Sequence, residues 1–182
     1  MTESRLLDFA LKSDSLVFDV GGYKGDWAEA IAEKYGSRVV VYEPVPGNLE
    51  WLRRRFEGNG VSVMPYGLLD RDGEVLMGID GDRSGVHTES ATRLECSFRD
   101  VAGELGGESV DLMKMNVEGS EYEILERMIC VGVLKNVRDL LIQFHRHIAG
   151  AKKRYEQIAL RMDRTHRLVW RDPFVWEMWS RR

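Results

Sequence analysis

A short apolar run that ends in an acid, turns through glycines and opens a helical pattern leaves this chain few folds. The stretch is Leu16-Val17-Phe18-Asp19-Val20-Gly21-Gly22-Tyr23-Lys24-Gly25-Asp26-Trp27. Its first residues, rich in Val and Phe and bounded by glycine, predict a strand buried on both faces. Ala28, Ile31, Ala32 and Tyr35 then recur at helical spacing. Strand, glycine turn and helix in that order build a ligand pocket at the carboxyl end of the first strand of an α/β sheet.

The turn itself discriminates between ligands. A dinucleotide fingerprint needs glycines in the pattern GxGxxG. Counting from Gly21, the third position is Tyr23, and from Gly22 it is Lys24, so no register fits. The turn reads Asp-x-Gly-Gly-x-x-Gly, with Asp19 inside the strand. A carboxylate there suits the ammonium of a bound amino acid, held directly or through water, and repels a pyrophosphate. Gly21, Gly22 and Gly25 allow a ligand close to the backbone. These features favour S-adenosylmethionine. The plain alternative is a strand-to-helix turn whose Asp caps the helix.

A second acid strengthens the first reading. Arg38 to Glu43 predicts the next strand, and Glu43 lies 22 positions after Gly21, near the ~20-residue offset at which an acid meets a ribose diol. A carboxylate can accept from two adjacent hydroxyls. Pro44 then stops the strand.

The remaining pattern alternates helix and strand. A helix is expected over Asn48 to Phe56, a third strand from Val61 to Pro65, and a hairpin over Leu68 to Asp80 with Asp72-Gly73 as its turn. Residues 81–92 carry little apolar content and predict a mobile lid loop. A short helix at Val101 to Leu105, a strand at Val110 to Met115, a helix from Glu121 and a strand at Arg138 to Phe144 follow. Gly150 to Arg164 reads as an amphipathic helix, and Arg167 to Arg171 with Pro173 to Trp179 as a final strand pair. The whole is one α/β domain over residues 1–182, with residues 1–14 as an extension. Its mainly parallel sheet carries helices on both faces and an antiparallel strand near one edge. The rim at the carboxyl ends of its strands collects Asp19 to Gly25, Glu43, Pro44, Tyr66, Gly67, Asn116, Glu118 and His145.

Composition narrows the partners. The first fifteen residues lack the apolar segment of a secretory signal, and no run approaches the ~18 apolar residues of a membrane span. Cys96 and Cys130 have no metal-ligand spacing, so reduced thiols in a cytoplasmic protein are expected. Residues 1–130 hold 14 Lys/Arg against 25 Asp/Glu, whereas residues 131–182 hold 12 against 5. That basic end raises nucleic acid as a partner. Its charges at Lys152, Lys153, Arg154, Arg161 and Arg164 fall at helical spacing without interleaved aromatics, which describes a solvated helix face. Phe174, Trp176, Met178 and Trp179 would complete the sheet or form a homodimer surface.

Phe18 to Gly25, Tyr42-Glu43-Pro44 and above all Asp111-Leu112-Met113-Lys114-Met115-Asn116-Val117-Glu118-Gly119-Ser120-Glu121 resemble the FkbM-type methyltransferases. The last segment is close to that family's D-L-[LI]-K-[ILM]-D-[VI]-E-G-x-E. The resemblance spans roughly residues 15–146. It implies a class I, Rossmann-like fold with a seven-stranded sheet, and an S-adenosylmethionine-dependent O-methyltransferase acting on a hydroxyl of a sugar or polyketide-like metabolite. Two positions depart from the pattern: Asn116 stands where the family has Asp, and Gln143 where an acid often precedes the His. Asn keeps an acceptor oxygen but cannot take a proton. A catalytically silent, cofactor-binding relative is therefore the alternative, with a nicotinamide oxidoreductase behind it.

Methyl transfer to an alcohol needs alignment and a base. His145 is the first candidate because imidazole titrates near neutrality. Glu118 is the second, and Lys114 is a fixed cation that would orient Glu118 or a substrate oxygen. Glu118 also suits the N-terminus of the following helix. His145 and His147 share a side of an extended segment, but no third metal ligand is evident, so no metal is assigned. His87 and His166 read as surface residues.

Overall fold

The computed structural model describes residues 3–182. In chain order its strands are β1 (Leu16–Val20), β2 (Arg38–Tyr42), β3 (Val61–Met64), β4 (Gly67–Leu69), β5 (Gly73–Gly78), β6 (Arg93–Asp100), β7 (Val110–Met115), β8 (Val137–Ile142), β9 (His166–Asp172) and β10 (Trp176–Arg181). The helices are α1 (Asp26–Tyr35), α2 (Pro46–Arg55), α3 (Val101–Leu105), α4 (Glu121–Val131) and α5 (Ala151–Met162).

Seven strands form one sheet in the order β3-β2-β1-β7-β8-β10-β9. β1 pairs in parallel with β2 and β7, as do β2 with β3 and β7 with β8. β10 runs antiparallel between β8 and β9. The chain winds outward from β1 in both directions, so the crevice above the β1 and β7 carboxyl ends is the topological switch point.

Apolar runs make β1, β7 and β8 central because each strand has a face to bury on either side. Phe18 and Val20 pack with Val101 and Leu105 of α3, Tyr122, Leu125 and Met128 of α4, and Ile158 and Met162 of α5. Val17 points the other way, toward Ala28 and Ile31 of α1 and Leu52 of α2. α2 begins two residues before the predicted Asn48, because Pro46 supplies the fixed φ of a first helical turn. Arg55 reaches from α2 to Asp26 and Glu29, joining the first two helices. Arg154 is no solvated charge either. It forks onto Glu126, bonds Glu123 and lies 5.0 Å from the Tyr122 ring centroid, pinning α5 to α4.

Two further expectations, the hairpin and the surface placement of His166, are corrected. The Leu68 to Asp80 segment is not a hairpin: β6 lies between β4 and β5 in a separate three-stranded sheet, parallel to β4 and antiparallel to β5. Residues 81–92 form a loop closed by backbone hydrogen bonds. Ile79 N–H donates to Thr92 O at 2.9 Å at its neck, and Gly78 and Gly85 exchange backbone hydrogen bonds within it. His166 is fully buried, with Nε2 3.0 Å from the Val137 carbonyl, and burial lowers its pKa. The leading segment is fastened to α1: Trp27 Nε1 donates to Leu6 O, and the Tyr35 hydroxyl donates to Leu7 O.

Candidate active site

The loop after β1 is built against its neighbours. Gly21 and Gly25 have φ of 81° and 86°, a region that disfavours side chains. A Cβ at position 21 would lie 2.1 Å from the Asn116 carbonyl oxygen, and one at position 22 would lie 2.1 Å from Val41 Cγ1. The glycines are therefore demanded by close packing on β7 and β2, rather than by the approach of a ligand alone.

Strand register sets the charge beneath that loop. Asp19 and Lys114 are partners across the β1–β7 pair. Lys114 Nζ donates to Asp19 Oδ1 at 2.8 Å and to the Gly21 carbonyl at 2.9 Å. The Lys114 and Asp19 side chains are 8% and 0% exposed. Burial pushes the Asp19 carboxyl upward, and the Lys114 ammonium opposes it. Asp19 Oδ2 is buried without a partner.

Above this pair opens a cleft of about 210 Å³. Gly21, Gly22, Gly25, Glu43, Pro44, Gly67, Lys114 and Asn116 line it. Glu43 is buried, with Oε2 accepting from Tyr23 N–H at 2.8 Å and Oε1 from Val45 N–H at 2.9 Å. Burial raises its pKa against the pull of these donors. Each carboxylate oxygen carries two acceptor sites, so Oε2 keeps one for a further donor. Val45, Leu68, Met77, Val86 and Phe98 supply an apolar wall. Asn116 Oδ1 is a second buried acceptor without a partner.

Two expected positions fall outside the cleft lining. Asp19 lies beneath the loop, engaged with Lys114. Tyr66 gives its hydroxyl to Glu104 Oε1 at 3.0 Å and packs near Tyr42. Lys114, which does line the cleft, gives two of its three N–H groups to Asp19 and Gly21 and so braces the loop.

His145 and Glu118 also stand beyond the lining, as a pair at its edge. Gly85, which does line the cleft, rests on Glu118: a Cβ at position 85 would fall 2.7 Å from Glu118 Cβ. His145 Nε2 lies 3.1 Å from Glu118 Oε1, and Nδ1 lies 3.2 Å from Glu121 Oε1. Burial works against a charged ring, but the hydrogen bonds to Glu118 and Glu121 outweigh it and hold the His145 pKa at about 9. With a carboxylate facing each ring nitrogen, His145 is held toward its charged form, which weighs against it as the free base. An imidazole gaining carboxylate partners stabilises the fold fully below its unfolded pKa near 6.5, and the gain fades as pH rises through about 9. The melting-temperature advantage of the wild type over His145→Asn is accordingly expected to be largest below pH 6.5 and smallest above pH 9. A difference that stays level over that range would contradict the charge assignment.

A model of the methyltransferase FkbM domain matches residues 19–162. The chain belongs to the FkbM methyltransferase family. Among solved structures, the FkbM methyltransferase of Methylobacillus flagellatus KT superposes with a TM-score of 0.65 at 18% identity, over 98% of this chain and 46% of that one. This chain thus spans about half the length of that relative. An rRNA methylase from Streptococcus thermophilus gives a TM-score of 0.58 at 11% identity, covering 98% and 93% of the two chains. Sp1610 of Streptococcus pneumoniae, in complex with S-adenosyl-L-methionine, gives 0.55 at 12% identity, covering 98% and 71%. No curated protein matches the sequence. The family fold is the class I, Rossmann-like one, in which a seven-stranded, mostly parallel sheet carries an antiparallel C-terminal strand.

Several residues of this FkbM-family site escape the sequence reading. Val45, Met77 and Phe98 line the cleft from β6 and its surroundings. Leu94, Cys96 and Phe98 alternate at the two-residue spacing of a strand, a signal that could have exposed β6. Asp82 and Ser84 reach the cleft from the 81–92 loop, which lies where a lid was expected. Glu121, beneath His145, is legible only as part of the family motif.

Proposed function

We propose that this FkbM-family protein is an S-adenosylmethionine-dependent O-methyltransferase acting on a hydroxyl of a small molecule such as a sugar or polyketide-like metabolite. The observation that carries the cofactor reading is the pair of orphaned acceptors, Asp19 Oδ2 and Asn116 Oδ1, near the carboxyl ends of β1 and β7. Unsatisfied buried acceptors are costly unless a donor arrives. A methionyl ammonium would supply such a donor to Asn116 in the cleft lining, and to Asp19 beneath the loop only through a water. The remaining acceptor site of Glu43 Oε2 suits a ribose hydroxyl, and Val45, Leu68, Met77 and Phe98 form an apolar slot for adenine. When bound, the cofactor supplies a methyl group activated by a sulfonium. Glu118 is the proton acceptor in this reading, because both ring nitrogens of His145 are taken up by carboxylates. Asn116 fits a hydrogen-bonding duty and not a proton-accepting one, so its replacement of the family Asp is compatible with turnover.

Ser84, Gly85 and Val86 add a further wall to the cleft, which favours a small acceptor over a polynucleotide. Among the described residues no helix is long and apolar enough to cross a membrane. The two free cysteines support a cytoplasmic setting, where thiols stay reduced. Titration calorimetry with S-adenosylhomocysteine tests the cofactor assignment. Saturable binding is expected in the wild type, at least tenfold weaker in Glu43→Gln, or about 1.4 kcal/mol. Equal affinity in the two would place the ribose away from Glu43, and heat-free wild-type titrations would sink the reading.

A further inference from the structure

Glu121 is a completely buried carboxylate that spends its acceptor capacity on the loops beside the catalytic candidates. Oε2 accepts from Gly119 N–H at 2.9 Å, and Oε1 accepts from His145 N–H at 2.7 Å. Both oxygens also lie 3.2–3.3 Å from His145 Nδ1. Gly119 follows β7 and His145 follows β8, so one side chain joins the carboxyl ends of two adjacent strands. A buried carboxylate is retained only where its hydrogen bonds and charge partners offset desolvation. Position at the start of α4 contributes, since the helix N-terminus favours negative charge. That contribution does not explain why the carboxylate faces His145 instead of solvent.

Geometry around the ring supplies the reason. With Nδ1–H given to Glu121, Nε2 is directed at Glu118. Tyr122 closes the arrangement by donating its hydroxyl to the His145 carbonyl at 2.9 Å, and the His147 ring sits edge-on at 5.6 Å. His87, near Gly119, faces Glu123 Oε2 at 3.5 Å. Glu118 itself has a φ of 50°, a conformation that a non-glycine residue holds only when its surroundings fix it.

We infer that Glu121 is a positioning residue for methyl transfer, orienting the His145 ring so that Nε2–H holds Glu118 in place to receive the acceptor's proton. This rests on the reading of Glu118 as proton acceptor. The two glutamates thus divide the work. Glu118 meets the substrate, while Glu121 acts only through the imidazole.

The experiment is 15N NMR of His145 in the full chain, which needs no acceptor substrate. In the wild type, both ring nitrogens should stay protonated at pH 7, with a midpoint at least one unit above that of an ordinary histidine. In Glu121→Gln the midpoint should fall by at least one unit, while S-adenosylhomocysteine affinity, read by calorimetry, changes less than threefold. With any hydroxyl acceptor that turns over, kcat should fall at least tenfold at unchanged cofactor KM. An ordinary wild-type midpoint would overturn the inference without recourse to a variant, and so would a wild-type titration in Glu121→Gln. Absence of S-adenosylhomocysteine binding to the wild type would instead defeat the methyltransferase reading, leaving the NMR result to stand on its own.

Discussion

Lys114→Met is expected to cost the protein about 3–5 kcal/mol of stability, the range for removing one partner of a buried ion pair. The ammonium is the charge partner of Asp19, whose side chain has no exposed surface. Without Lys114, Asp19 must either remain charged in a medium that cannot solvate it or take up a proton. The Gly21 carbonyl loses its donor as well, and a buried acceptor left unmade costs roughly a further 1–3 kcal/mol where water cannot replace the bond. For a chain of this size each kcal/mol shifts the melting temperature by roughly 2–4 °C, so thermal unfolding should show a fall of about 6 °C or more. The companion Asp19→Asn/Lys114→Met removes both charges and should recover most of that loss. It should not recover S-adenosylhomocysteine binding, because the loop still lacks its brace. A single variant melting within about 2 °C of the wild type would mean that the pair does not organise the turn.

The same pair marks the limit of what the chain reveals by itself. Asp19 and Lys114 are each legible as unusual charges inside apolar strands, and both are named as site residues from sequence. That they face one another follows from the register of β1 against β7, a pairing across 95 positions that no local pattern encodes. Strands β1, β2, β7 and β8 read clearly because their apolar runs are compact and bounded by Gly, Pro or charge. The three-stranded sheet reads poorly for the opposite reason. Its exposed Glu74, Leu76, Arg93 and Glu95 blur the alternation, and β4 pairs with β6 across an intervening strand and loop. Asp72-Gly73 carries hairpin chemistry, yet the chain after it pairs with β6 instead of β4. In the site, residue types were legible and protonation was not. His145 reads as a base because imidazole ordinarily titrates near neutrality, and only the fold brings two carboxylates onto its two nitrogens.

That inversion leads to the second large effect. Glu118→Gln should lower methyl transfer by about 10²–10⁴-fold, the usual worth of a positioned general base, while S-adenosylhomocysteine affinity stays within threefold of wild type. The substituted amide keeps the size of the side chain and an acceptor oxygen for His145 Nε2–H, but it cannot take a proton. The separation between binding and turnover follows from the structure, since Glu118 rests against Gly85 at the cleft edge and none of the cleft's orphaned acceptors belongs to it. Release of S-adenosylhomocysteine against a panel of sugar and polyketide alcohols measures the rate. While the His145 ring carries both protons it cannot substitute as base. Residual activity in Glu118→Gln should therefore rise toward alkaline pH as that ring loses its proton, with a lower midpoint than in the wild type because one carboxylate partner is gone. Full turnover by Glu118→Gln at pH 7 would move the proton acceptor to another residue.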